Sequence, residues 1–261
     1  TRAEGGLDAE LCEAIHLGRR RPGGHLIAQS LTFHAGVADA ARHHGWRIQR
    51  IAVHDDCRRH GIGRRLVEAA RRDAMTAGMD WLGTSFGMTG ELLDFWTACG
   101  FRPVRVGNRR DARSGTFSVI LLKPLNAAGE ALETAADRRF ARHLPDQLNH
   151  SLRGLSVSLR SRFRPGPLSD RERDTIDRAD LQAFADGHRP LLDSHAALSR
   201  WAAQAAAGDH AAPRDRDLVA AAVKRPLDTA AMARVAGLSG RREAIARLRH
   251  LIAQRPRIHH E

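Results

Sequence analysis

Residues 47–63, RIQRIAVHDDCRRHGIG, constrain the fold more than any other stretch. Their pattern predicts a strand over 48–54, with Ile51, Ala52 and Val53 as its apolar centre. The strand runs into a glycine turn at 58–63, and a helix is expected from about 62 to 77, with Leu66, Val67, Ala70 and Ala74 on one face. The first N–H groups of a helix have no partner within it, and the helix dipole concentrates positive charge there. Gly61 and Gly63 carry no β-carbon, and Arg58, Arg59 and Arg64 add charge around His60 and Ile62. The turn is therefore a candidate cradle for a diphosphate. The pattern R-x-x-G-x-G is short, and a plain strand-to-helix turn also satisfies it.

The chain has 261 residues, enough to bury a real core in one or two domains. Its formal charge of +12 points to a polyanionic partner, nucleic acid first. Arginine dominates the basic residues; Lys123 and Lys224 are the only lysines, so a compositional bias gives the same charge. Cys12, Cys57 and Cys99 are odd in number and far apart. They favour a reducing compartment over a disulfide framework and show no zinc spacing. No metal site is expected. Neither a signal peptide nor an apolar run long enough to span a bilayer is present, so a cytoplasmic, non-membrane protein is expected. The chain starts with Thr1 rather than Met and reads as a fragment of something longer.

In order, Asp8 is expected to cap a helix running to about Gly18. Arg19, Arg20 and Arg21 form a basic turn that can grip phosphate or stand as a solvated loop. A short strand is expected at 26–31 and a helix at 33–44. After the central unit comes a second buried strand, 80–86, then a turn with Thr89 as cap and a helix over 91–99. That helix presents Leu92, Phe95 and Trp96 on one face and ends at Gly100. Strands follow at 101–106 and 116–122, separated by a basic loop at 108–114 that carries Arg109 and Arg110. The order strand, helix, strand, helix, strand, strand suits an α/β sheet with a ligand at the splay between two neighbouring strands.

Arg58-x-x-Gly61-x-Gly63 after an apolar strand resembles the coenzyme A pyrophosphate loop of GNAT-type acyltransferases. The aromatic helix ending at Cys99-Gly100-Phe101 resembles their second signature. Narrower similarity is to the tRNA(Met) cytidine acetyltransferase family. It is carried by AEGGL at 3–7, RRPGGHLIAQSL at 20–31, RIAVH at 50–54, SFGMTGELLDFW at 85–96, CGF at 99–101 and VRVGNRRDARSG at 104–115. LSGRREAIARLR at 238–249 extends it, more weakly, into the tail. The resemblance implies a GNAT-type α/β acetyltransferase domain over 1–125 and an α-helical, basic, tRNA-binding tail over 126–261. The implied activity is acetyl-CoA-dependent N4-acetylation of the wobble cytidine in the anticodon loop of elongator tRNA(Met). That family also has an ATP-driven, helicase-like module upstream. No G-x-x-x-x-G-K-[ST] loop occurs here, so any ATP would act through a module outside this chain.

Matched motif to motif, the resemblance assigns acetyl-CoA contacts to Ile51, Ala52, Val53, Arg58, Arg59, His60, Gly61, Ile62, Gly63, Arg64 and Glu91. Main chain at Ala52 and Val53 can pair with the pantetheine arm, and a free N–H there can polarise the thioester carbonyl. Where the family often has arginine before Cys-Gly-Phe, this chain has Ala98. A cytidine amine is neutral and poorly nucleophilic, so it needs positioning and a base for its departing proton. His54 and Glu91 are the candidate catalytic residues. A surface histidine and a helix N-terminal charge are the plain readings of the same two positions. The chain has no tyrosine to serve as acid to the leaving thiolate; Cys99, a water or no protein acid takes that place.

The tail reads as helices near 127–143, 170–185, 191–206, 215–223 and 241–253, with loops at 164–168 and 211–214. Arg153, Arg160, Arg162 and Arg164 form a basic stretch readable as a strand or an RNA-facing loop. Arg241 and Arg242, with Arg247 and Arg249, form a second cluster on the last helix, facing tRNA or solvent. Two other functions compete: a GNAT-type transferase acting on a protein or small-molecule amine, and a non-catalytic RNA-binding module.

Overall fold

The structure is a computed structural model and describes residues 1–205 and 212–254. Its elements divide into two compact units, Thr1–Ala141 with Gly154–Pro167, and Arg142–Arg153 with the chain from Leu168 onward.

The first unit is built on a five-stranded sheet in the order β1-β2-β3-β5-β4. The strands are β1 (Arg2–Glu4), β2 (Gly45–Ile48), β3 (Trp81–Gly87), β4 (Arg102–Arg110) and β5 (Phe117–Pro124). β2 and β3 are parallel; every other neighbouring pair is antiparallel. This is the expected α/β class. The central strands are buried on both faces, which is why 119–122 is an unbroken apolar run. Ile120 and Leu122 join one core with Ile15 of α1 (Ala9–His16), Ile27 of α2 (Leu26–Gln29), and Leu132 and Ala136 of α5 (Ala127–Asn149). By the period of two, Val119 and Leu121 are buried on the opposite face.

Several local expectations hold. Asp8 caps α1 by accepting the Leu11 N–H at 2.7 Å, and Thr89 caps α4 (Gly90–Ala98) through the Leu92 N–H at 3.3 Å. Others are corrected. Residues 26–31 are helical, not a strand: α2 passes into a π-helical turn, Ser30–Ala35, and the buried positions 27, 28, 31, 32 and 35 follow a helical period. The helix expected to continue to 44 stops at Gly36, with φ +80°, and only a 3-10 turn, Ala40–Arg42, follows. On α3 (Ile62–Thr76) Val67 and Ala74 are buried but Leu66 is exposed. On α4, Leu93 takes the core position expected of Leu92. The basic loop is shorter than expected, because β4 runs on through Arg110 and pairs with Phe117.

β1, three residues without a pattern, was not foreseen. Its Glu4, 3% exposed, accepts the buried Ile27 N–H at 2.7 Å and Arg47 at 2.6 Å. One carboxylate thus ties β1, β2 and the start of α2. Glu4→Ala is expected to cost about 3 kcal/mol, because it strands a buried N–H and a mostly buried guanidinium. A thermal melt checks this; an unchanged melting temperature contradicts it.

The second unit is helical. It contains α7 (Asp170–Ala185), α8 (His195–Ala205), α9 (Pro213–Lys224), α10 (Thr229–Val235) and α11 (Arg241–Gln254), around Phe184, Leu198, Trp201, Leu218, Met232 and Leu248. α7 matches its expected bounds, held by a Ser169–Glu172 capping box. α5 is longer than expected, through Asn149. The expected helix end at Ala206 and loop start at Ala211 lie outside the described residues. α10 was missed. Residues 153–164 form no strand: a short helix, α6 (Val157–Arg160), occupies the alternating stretch.

Candidate functional site

The site begins where two parallel strands part. β2 pairs with β3 from Gly45↔Trp81 to Ile48↔Thr84 and no further, whereas β3 stays paired with β5 through Gly87↔Ser118. The edge of Ser85, Phe86 and Gly87 facing away from β5 therefore has no strand on it. Residues 49–54 carry no strand structure. This corrects the expected strand over 48–54: the apolar run Ile51, Ala52, Val53 lies past the point where the ladder ends. The Thr84 hydroxyl donates to the Ile48 carbonyl at 3.3 Å there. Ile51 and Val53 are half-buried, and Ala52 and His54 are exposed. Main-chain groups across this gap are thus available to an extended ligand arm.

The chain then makes a 3-10 turn, Asp55–Cys57, and reaches α3 through Arg58, Arg59, His60 and Gly61. Gly61 is the N-cap, at φ +75°, with no side chain capping the helix. A β-carbon there would meet nothing within 4 Å, so the helix end opens on free space. Gly63 serves differently from expectation: its β-carbon would come 3.1 Å from the Phe95 ring, so it lets α3 approach α4. Arg59, at φ +62°, His60 and Arg64 are exposed, and Ile62 is half-buried. Arg58 is pinned, paired with Asp55 at 2.6 Å and donating to the Val53 carbonyl at 3.4 Å.

Beside α3 lies a cleft of about 920 Å³, lined by Arg64, Arg65, Arg72, Lys123, Ala98 and Cys99 among others. Lys123 donates to the Cys99 carbonyl at 2.8 Å. Burial pushes the Cys99 thiol up, against the pull of Arg64 and Lys123, so it stays protonated at neutral pH. Sequence reasoning missed Arg72 and Lys123. Their signal was present: Arg72 falls two turns after Arg65 on one helix, and Lys123 is one of two lysines.

His54 precedes the 3-10 turn with its side chain 77% exposed and Nδ1 3.5 Å from Asp56. Glu91 is exposed in the first turn of α4, directly after the free end of β3.

The basic residues sort into engaged and open ones. Arg19 and Arg20 are exposed; Arg21 stacks over Phe33 at 4.9 Å. Arg109 is exposed, whereas Arg110 lies over Phe117 at 4.6 Å and donates to the carbonyls of Gly115 and Gly154. Arg241 and Arg242 are exposed at the start of α11. Arg247 is not an open cation: it grips Asp215 with two bonds of 2.8 and 2.6 Å and holds that carboxyl below its usual range. Arg249 lies over Phe184 at 5.3 Å, and burial lowers its pKa. In the same unit Asp146, His150 and His195 gather within 4.8 Å. The 2.7 Å separation of Asp146 and buried His195 is that of a hydrogen bond, and His195 Nε2 faces the Ala222 and Val223 carbonyls.

Residues 66–126 match the family model described as GNAT acetyltransferase 2, and residues 129–259 match the one described as a tRNA-binding domain. The chain is 44% identical over 189 residues to the tRNA(Met) cytidine acetyltransferase TmcA of Nitrosococcus halophilus, covering 72% of this chain and 25% of that protein. It is 42% identical over 197 residues to TmcA of Salmonella typhimurium, and 39% over 203 residues to TmcA of Photorhabdus asymbiotica. Each of these two covers 76% of this chain and 28% of the relative. The chain therefore spans about a quarter of the length of the curated relatives it matches. With the tRNA-binding match taking in half of its length and the acetyltransferase match directly before it, the chain belongs to the tRNA-binding domain family and joins that domain to a GNAT-type acetyltransferase fold.

Proposed function

We propose that this protein transfers an acetyl group from acetyl-CoA to the N4 amine of the wobble cytidine in elongator tRNA(Met), giving N4-acetylcytidine. The observation that carries this reading is the joining, in one chain, of an uncapped, glycine-opened helix end beside a strand splay with a tRNA-binding domain match. The domain division proposed for function is the acetyltransferase over 1–125 and the tRNA-binding tail over 126–261.

The acyl donor supplies a thioester. Ala52 and Val53, past the end of the β2 ladder, offer main chain to its arm, with Ile51 beside them and the Val53 carbonyl held by Arg58. The N-terminus of α3, with Arg59, His60, Gly61, Ile62, Gly63 and Arg64, holds its diphosphate; Arg58 joins when it leaves Asp55. The basic cleft accepts the nucleotide end, and Lys123 with Arg72 provides charge that Ala98 does not. In the reaction the amine nitrogen bonds to the acyl carbon, the carbon–sulfur bond breaks, the amine loses one proton, and the thiolate takes one up. Glu91 and His54 are the residues assigned to receive the amine proton. ATP-coupled work belongs to the part of the relatives that this chain does not span, and a cytoplasmic site follows from the substrate.

Label transfer tests the reading. Full-length protein is incubated with acetyl-labelled acetyl-CoA and either tRNA or an amine-bearing peptide, with and without ATP. Label in the RNA alone is expected; label in the peptide alone would contradict it. For the RNA surface, reversing charge at Arg241 and Arg242 is expected to flatten the salt dependence of tRNA binding, by roughly 0.7–0.9 slope units per lost phosphate contact. An unchanged slope would leave both on a solvated face.

A further inference from the structure

We propose that residues 154–162 form the acceptor side of the acetyl-transfer site, seating a single-stranded nucleotide of the RNA substrate against α6. Arg162 and Asp94 act as the positioning pair. This rests on the function proposed above. By sequence the segment falls inside the tRNA-binding match; by structure Gly154–Pro167 packs with the acetyltransferase unit. Such a stretch brings residues of the tRNA-binding match into the acetyltransferase unit.

The segment is fastened at both ends. Arg110, the last residue of β4, donates to the Gly154 carbonyl at 2.9 Å. Arg162 makes two bonds to Asp94, of 2.7 and 2.8 Å, and a third to the Ser158 carbonyl at 2.6 Å. Below it Leu155 and Phe163 are buried, and Phe163 meets Phe140 edge-on at 5.6 Å. Asp94 lies one turn from Glu91 on α4. The Arg162 guanidinium is 3.2 Å from where a β-carbon at Gly90 would sit. The clasp therefore stands at the start of α4, just past the free edge of β3.

A four-residue helix has no stability of its own, so α6 exists because it is held. What it holds outward is Val157, 80% exposed, beside the exposed Ser156 and Ser158 and followed by exposed Arg164. An exposed apolar tip between two serines, on a segment that also carries an exposed arginine, fits the face of a base with its sugar and phosphate. The chain's +12 charge favours that polyanion as occupant. A partly exposed ion pair adds little to overall stability, so the pair's role is to place α6 rather than to hold the fold.

The test uses full-length protein, elongator tRNA(Met) and acetyl-CoA. Val157→Asp, at an exposed position, is expected to raise the KM and Kd for tRNA about tenfold while leaving acetyl-CoA affinity within about twofold. Arg162→Asp should do the same, and the swapped pair Arg162→Asp with Asp94→Arg should recover most of the loss. Unchanged tRNA KM and Kd for Val157→Asp, or a loss of acetyl-CoA affinity instead, overturns the assignment. If the parent protein acetylates no RNA, the functional reading fails separately, and the tRNA Kd of the two single variants still decides where the RNA sits.

Discussion

Gly61→Glu is expected to abolish acetyl-CoA binding, weakening it by about 100-fold or more. Two effects add. Gly61 sits at φ +75°, where a side chain costs about 1–2 kcal/mol. The new carboxylate then projects into the open space at the helix end, where the diphosphate is proposed to lie, and meets it with like charge. Gly61→Ala separates the two, since it carries the backbone cost without the charge, and should weaken binding by no more than about tenfold. Calorimetry with circular dichroism as a folding control measures both. Retained tight binding by the glutamate variant would remove the diphosphate from this loop.

The largest effect on stability in the helical unit is expected at Asp180. This carboxylate is fully buried, accepts from Arg189, itself 2% exposed, and lies 2.7 Å from His143 Nε2. Asp180→Ala takes away a buried counter-charge shared by Arg189 and His143 and should cost about 3 kcal/mol. Hydrogen exchange on the full chain should show the loss concentrated in α7 and α8. A cost under about 1 kcal/mol would mean that the pair is dispensable.

Both predictions bear on how much the sequence discloses. Helix ends with local chemistry were legible: Asp8, Thr89 and the start of α7 are fixed by side chains a few residues from the backbone they cap. From α3 through β5 the order of helices and strands was legible for the same reason, since period and glycine placement are local signals; β1 was not, and 26–31 was not a strand. The extent of β2 was not. Ile51, Ala52 and Val53 have strand composition, but whether they join a ladder depends on a partner edge more than thirty residues away. Residues 26–31 failed for a related reason: a short apolar run carries no clear period until the buried positions after it, 32 and 35, are counted. At the site, the open helix end at Gly61 was legible, while the work of Gly63 against Phe95 was not, because no spacing encodes that contact. Charge misled most in the tail. Arg247 and Arg249 read as a basic cluster, yet one is bound to Asp215 and the other lies on Phe184; only the fold tells a paired arginine from an open one.

The central claim is the transfer of acetyl to one cytidine. The direct measurement is mass spectrometry of nucleosides from elongator tRNA(Met) after incubation with full-length protein, acetyl-CoA and ATP. N4-acetylcytidine at the wobble position, absent with Gly61→Glu, is the predicted result. Unmodified cytidine there, from protein shown to bind both acetyl-CoA and the tRNA, would contradict it.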